Sequence, residues 1–541
     1  MKTLFKNINV VDILKKEIYK SNVLVEDEYI KDIDSNICSA DIILDSKDKY
    51  IYPSFIDTHL HFESAQMRPS TYLSLSIPYG TCAYIADPHE IANVCGEDGI
   101  KFICDDIKNI PSDIKIMMPS CVPATPLEHN GYILDNNETF KLTKKYNLYG
   151  LGEMMDINGI LSDDPKIKEK IEFFKNNNMI IDGHAPFLSG NNLKKYISYG
   201  IYTDHESTNA KDALEKIDCG MNILIRNGSA AKDIIPLCKA ISKDNIEHFA
   251  FATDDKEPED LYKKGTIIDS IKIAINNGID MFDAIRIASY NGYKIFKLEK
   301  RGLIEKGYFA NFIIAPNLNF DKNLEVYYKG KLVAKDNKAL FKPNKANLAN
   351  VIHSVHKKEI NLSDLKLDFN PDNTVMEIIP DTLITKGIKV LSSEGLNKLY
   401  SIERHKKLGL IGKCFVKGFN LKGGAIAQTI GHDSHNIIAL GDNEKDILDV
   451  INALGVDGGI AIKANNKLTY FPLDIAGLMS SMSIEEILEK RYELNEALSS
   501  LSMNKSINPL MLLSFLSLIV IPDVKLTCDG LYSFSQKKYI K

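Results

Sequence analysis

The 541 residues contain no CxxC pair, no regularly spaced cysteines and no apolar run long enough to cross a bilayer. Nine cysteines stand singly, which excludes a disulfide framework and a thiolate zinc site and points to reduced, mostly buried thiols in the cytoplasm. The longest apolar stretch, residues 510–521, is too short for a spanning helix and is expected in the core. The opening MKTLFKNINVVDILKKEIYK lacks the apolar centre and small-residue cleavage site of an export signal. Charge of one sign is scarce too. With 66 basic against 72 acidic residues the net charge is −6 and no basic stretch stands out, so neither a nucleic acid nor a membrane is an expected partner. Repeats and low-complexity segments are lacking. What remains is an ordinary soluble composition, 26% charged and 44% hydrophobic, in a chain too long for one compact core.

Residues 1–51 alternate short β-like runs with turn residues and predict a small antiparallel sheet. From residue 52 to 300 the texture changes to apolar strands ending in polar or ligand-capable residues, separated by helical stretches. Eight such strand ends follow in order: FIDTHLH (55–61), CAYIADPHE (82–90), IKIMMPSCVP (114–123), LYGLGEMMD (148–156), MIIDGHAP (179–186), GIYTDHES (200–207), MNILIRNGS (221–229) and HFAFATDD (248–255). Eight β/α units in about 250 residues have the size and rhythm of a (β/α)8 barrel, whose chemistry sits at the C-terminal ends of its strands. Residues 301–345 return to short strands and are expected to complete the sheet begun by residues 1–51. The polar stretch 341–354 reads as a linker, and residues 346–541 as a separate α/β domain. The expected class is therefore α/β, a (β/α)8 barrel with a composite β domain and a C-terminal α/β domain.

The spacing His59-Leu60-His61 on a strand places both imidazoles on one face, where they can grip one metal ion. Alone the pair is weak, but Glu153, His184, His205 and Asp254 stand at the ends of strands four, five, six and eight. Nitrogen and carboxylate donors without a thiolate suit a catalytic zinc, manganese or iron that keeps a position for water. Each histidine singly is more often an ordinary hydrogen-bonded residue, and Glu153 singly an acid paired with a base; their joint placement reverses those odds.

With these residues in place the sequence resembles the amidohydrolase superfamily, whose barrels hold one or two ions with an HxH pair, a bridging acid or carbamylated lysine, two further histidines and an aspartate. The resemblance narrows to the bacterial adenine deaminase family through PSFIDTHLHFES (53–64), ADPHEIANVCG (86–96), GLGEMMD (150–156), DGHAP (182–186), TDHES (203–207), IRNGSAA (225–231), FATDD (251–255) and, beyond the barrel, GHDSHNI (431–437). Strand four carries Glu153 and not lysine, so a carboxylate would bridge the ions. The resemblance implies hydrolysis of adenine to hypoxanthine and ammonia in purine salvage, a divalent metal, manganese with iron or zinc as substitutes, one or two ions per chain, and a homo-oligomer of two or more copies.

Attack on the amino-bearing ring carbon needs hydroxide at neutral pH. A metal lowers the pKa of bound water from about 15.7 to about 7, worth roughly 12 kcal/mol, while a positioned base alone contributes about 10²–10⁴-fold. Metal activation is thus expected to dominate. Asp254 is the expected acid/base as well as a ligand. The adjacent ring nitrogen needs a proton from a neutral carboxylic acid, for which Glu206 and Glu90 are candidates. Asp87, His89 and Glu90 either touch substrate or a second ion or form a loop network. Arg226 and Ser229 either hydrogen-bond the purine edge or, for Arg226, make a surface salt bridge. His432, Asp433 and His435 either close the barrel mouth over the substrate or stabilise a turn, and Asp255 is expected behind the ligands. His61-Phe62-Glu63 matches the HxE of cytidine-deaminase zinc sites, but no PCxxC follows. Gly-rich GVDGG (455–459) lacks the strand-to-helix spacing of a phosphate loop and is expected to be a turn. The alternatives are an amidohydrolase acting on another cyclic amide or amidine, and a barrel retained only as a scaffold.

Overall fold

The computed structural model describes residues 1–321, 323–380 and 382–541. Eight short parallel strands carry the site: β1 (Phe55–Leu60), β2 (Thr81–Ala86), β3 (Asp113–Ile116), β4 (Gly150–Met154), β5 (Ile180–Gly183), β6 (Thr203–Asp204), β7 (Asn222–Arg226) and β8 (Phe249–Ala252). β-branched and aromatic residues favour extension here, and β1, β2, β4 and β8 are buried at every position.

The ladders run β1–β2–β3, β4–β5 and β6–β7–β8. Single parallel bridges link them onward: Met118 to Leu151 ties the end of β3 to β4, and Leu60 to Asp254 ties β1 to the end of β8. Between β5 and β6 the Gly183 N–H donates to Thr203 Oγ1 at 3.1 Å. A Cβ on Gly183 would collide with the Thr203 carbonyl, so glycine is what permits this approach. The strand series thus returns to its start, as in a (β/α)8 barrel. Helices alternate with the strands, several of them begun by a side-chain cap. Asp164 accepts the Lys166 N–H at the start of Pro165–Asn176, with proline at the first helical position, and Asn209 accepts the Asp212 N–H at the start of Ala210–Asp218.

The two flanking segments share one sheet. Strand Tyr50–Pro53 pairs parallel with Lys2–Asp12 and antiparallel with Phe312–Ala315, which continues into Glu325–Tyr328 and Lys331–Lys335. Phe5 lies edge-on to Phe312 and Tyr327, at 5.2 and 5.1 Å between ring centres.

The stretch 341–354, expected as a linker, is held against the barrel. The buried Arg68–Asp106 pair accepts the Ala346 N–H at 3.0 Å and donates to its carbonyl at 3.2 Å. Beyond it an eight-stranded, mostly antiparallel sheet spans Val375–Ile378 to Lys467–Pro472. Helix Pro509–Ser514 and the buried Leu516 and Leu518 make residues 510–521 core, and among the described residues no helix is long and apolar enough to cross a membrane. This region reaches the barrel mouth. Arg491, 4% exposed, ion-pairs with Glu257 at 3.0 Å and Glu259 at 2.7 Å, and the Ser480 N–H donates to the Gln66 carbonyl.

Candidate metal centre

β1 delivers His59 and His61 side by side, their Nε2 atoms 3.2 Å apart. The other nitrogen of each ring faces an acceptor: His59 Nδ1 lies 3.0 Å from Asp182 Oδ2, and His61 Nδ1 2.9 Å from the Asp87 carbonyl. These bonds assign the proton of each ring to Nδ1 and leave both Nε2 atoms as bare lone pairs. Two lone pairs facing at 3.2 Å repel unless a cation joins them. The donor set around them fits a divalent ion.

Glu153 on β4 stands between two such groups. Its Oε1 lies 3.5 Å from His61 Nε2 and 4.0 Å from His59 Nε2. Its Oε2 lies 2.8 Å from His184 Nδ1 and 3.2 Å from His205 Nε2, and those two nitrogens are themselves 3.2 Å apart. Burial alone would raise the Glu153 carboxyl, but His184 and His205 outweigh it and hold it well below the usual carboxylate range. Asp254 completes the first group, Oδ1 being 3.3 Å from His61 Nε2. Its backbone is left-handed, φ 57°, a conformation that costs a non-glycine residue energy. Burial opposes the charge of Asp254, yet His61 and Arg226 keep its carboxyl below the usual range. All six donors named from the sequence meet here, in two sets joined by one carboxylate.

Asp87, expected near substrate or a second ion, seats Glu153. Its Oδ2 accepts the Glu153 N–H at 3.0 Å, and a Cβ on Gly152 would strike the Asp87 carboxylate, so position 152 must be glycine. His89 bridges the rim to the C-terminal region, Nδ1 3.4 Å from Glu153 Oε1 and Nε2 3.8 Å from Asp433 Oδ1. Burial works against its charge, but Asp433 raises it to about 10. Glu90 pairs with His432 Nδ1 at 2.9 Å. Burial favours its neutral form, but His432 pulls it below the usual range. Glu206 faces Arg226, with its Oε1 3.6 Å from His205 Nε2.

Arg226 makes no surface salt bridge. It is buried among Glu206, Asp233 at 3.0 Å and Asp254 at 3.3 Å. Ser229 bonds inside its own loop, donating to Asp260 Oδ2 at 2.7 Å and accepting the Glu257 N–H. His435 lies behind the rim. It is fully buried, its Nδ1 accepts the Gly431 N–H at 3.4 Å and burial lowers it to about 3. Asp255 accepts from Ser64 beside His61.

A cleft with about 540 Å³ of unfilled space, its open mouth included, lies between the barrel rim and the C-terminal region. Glu63, Glu90 and Asp255 line it from the barrel; His432, Leu510 and Phe515 line it from the other side. His432 stacks on Phe515 at 4.4 Å. Glu63 figures in the sequence only in the HxE match that no PCxxC follows. Its Oε2 has no partner, and burial, reinforced by the Glu90 charge, raises it to about 7. Also missed were Asp57, whose carboxylate accepts the Thr253 N–H at 2.9 Å just before Asp254, and Asp182, Asp204 and Lys216 behind the histidines. Only their position beside the ligands in DTHLH, DGHAP and TDHES signals the aspartates.

The pattern of the amidohydrolase family matches residues 50–333, and that of the adenine deaminase C-terminal domain matches residues 377–538. A Clostridium acetobutylicum protein described as adenine deaminase is 38% identical over 99% of this chain and 97% of its own length. The chain belongs to the adenine deaminase family. A Petrotoga mobilis adenine deaminase is likewise 38% identical, over 99% and 96%. A solved enamidase, described as a new member of the amidohydrolase superfamily, is similar over 64% of this chain and 99% of its own, at 16% identity and TM-score 0.47. Family membership spans both the rim that gathers the donors and the C-terminal region that faces it.

Proposed function

We propose that the protein is a metal-dependent adenine deaminase, hydrolysing adenine to hypoxanthine and ammonia. One observation carries the reading: Glu153 offers one oxygen to the His59/His61 pair and the other to His184/His205, an arrangement made for two cations. His59, His61 and Asp254 would hold the first, His184 and His205 the second, and Glu153 both. Once bound, the ions supply Lewis acidity and a water of lowered pKa.

The chain's own groups do the rest. In the net reaction a C–O bond forms at the amino-bearing carbon, the C–N bond breaks, and water supplies the oxygen and the protons. Asp254 presents Oδ1 to the His61 side and Oδ2 to Arg226, and we assign it to take a proton from water and return it to the departing amine. Glu63 lines the cleft and carries a buried oxygen without a partner, and it suits the donor to the ring nitrogen better than Glu90 or Glu206, both already ion-paired. Leu510, Phe515 and their neighbours give the purine an apolar wall and exclude water.

Manganese, two ions per chain, is the proposed resident metal. Nitrogen and oxygen donors accept it, and since zinc binds such sites more tightly, supply decides the loading. A cytoplasmic location is supported by nine unpaired cysteines, and the role in purine salvage follows from the family resemblance. The homo-oligomer implied by the family resemblance belongs to the same proposal, as does the division into a β domain (1–51 and 301–345), a barrel (52–300) and a C-terminal domain (346–541). The test is ammonia release from adenine, adenosine and dihydroorotate, with manganese, iron and zinc each supplied. Adenine alone should react; no ammonia from adenine with any of the three metals overturns the proposal.

A further inference from the structure

The two donor sets are braced differently. Behind the first, His59 rests on Asp182, His61 on a carbonyl, and Asp57 receives the Thr253 N–H. No lysine ammonium takes part in these bonds. Behind the second lies a lysine with no exposure. Lys216 Nζ reaches Asp204 Oδ2 at 2.9 Å, Ser207 Oγ at 3.0 Å and Asp212 Oδ2 at 3.1 Å, so all three of its donors have an acceptor.

Asp204 is the hub of that arrangement. Its Oδ1 accepts the N–H of Ala185, the residue after His184, at 2.9 Å. Its Oδ2 accepts the Ser207 N–H at 3.0 Å and the Ser207 hydroxyl at 2.7 Å, two residues past His205. One carboxylate therefore fixes the backbone beside both histidines of the second set, and it precedes His205 directly in β6. Its two oxygens must face opposite loops at once. The ammonium on Oδ2 sets which oxygen faces which loop.

We propose that Lys216 is the positioning residue of the second donor set: by orienting Asp204 it fixes His184 and His205, so that the second ion depends on it and the first does not. The inference rests on the two-ion reading above. Nothing in it requires Lys216 to touch substrate or metal.

The test is a manganese titration of the full-length apoprotein, followed by calorimetry and by elemental analysis after dialysis. Wild type should bind two ions. Lys216→Met should keep the first with its affinity unchanged and weaken the second by about 10–100-fold, as loss of an outer-shell partner does. Ser207→Ala, which removes the hydroxyl's two hydrogen bonds, to Asp204 and from Lys216, but no charge, should weaken the second ion less. Lys216→Met that binds both ions as wild type does, or loses both together while circular dichroism shows it folded, overturns the inference. If Lys216→Met does not fold, Ser207→Ala decides: a weakened second ion supports the inference and an unchanged one overturns it. Wild type with a single ion refutes the two-ion reading instead.

Discussion

The barrel rim and the C-terminal wall meet across one cleft but are built on opposite principles. The rim is a crowd of charge: four imidazoles and two carboxylates within 4.0 Å of a neighbour, with His59, His61 and Asp254 held from behind by Asp182, the Asp87 carbonyl and Arg226. The wall is mostly aliphatic and aromatic, with Leu478, Leu510, Met511 and Phe515 on the cleft. A charged rim can only act on what it is shown, and an apolar wall can only hold it. In the proposed function the difference separates chemistry from selection between two regions of the chain more than 150 residues apart in sequence, 254 against 428 onward.

Four experiments would break or sharpen that division. Glu153→Gln should shed both ions, seen by elemental analysis, and lower turnover by more than the roughly 10⁴-fold that loss of an acid–base group costs; retention of both ions would dissolve the idea of one shared carboxylate. Asp254→Asn should keep the metal and lose roughly 10²–10⁴-fold in kcat, and a near wild-type rate would move the proton transfer elsewhere. Phe515→Ala should raise KM roughly 10-fold with kcat within about twofold, the signature of lost uniform binding. If kcat fell and KM held, the wall would belong to the chemistry.

The smallest effect is on stability. Glu63 sits at about 7 in the folded protein against an ordinary 4.5, so the native state binds the proton more tightly than the unfolded chain. Its favourable contribution is complete below pH 4.5 and is lost as pH rises to 7. Glu63→Gln should therefore gain thermal stability relative to wild type between those two pH values, by no more than about 3 kcal/mol. A difference independent of pH would mean that the carboxyl is not neutral in the cleft.

The rim was legible because barrel strands carry their ligands at one end. FIDTHLH, LYGLGEMMD and HFAFATDD repeat one pattern, apolar extension and then donors, and β1, β4 and β8 follow it. The wall was not legible, since Leu510 and Phe515 read like any core residue until the fold shows a cleft beside them. Arg226 and Ser229 illustrate a second limit. A polar side chain at a strand end has partners on both sides, and only coordinates show that Asp233 and Asp260 claim them. Lys216 is the hardest case. AKDALEKID looks like a solvated amphipathic helix, and the inward direction of Lys216 is marked only by Ala213, one turn earlier on the same buried face.

The sheet shared by the two ends of the barrel segment has a consequence in time. About 260 residues separate Pro53 from Phe312, and at roughly 5–20 residues per second a ribosome needs roughly 13–52 s to deliver the missing strands. Throughout that interval the Tyr50–Pro53 strand emerges with one edge unpaired, and an unpaired edge is a template for another chain. The nascent polypeptide, before its last third is made, is thus the form of this protein with most need of a chaperone.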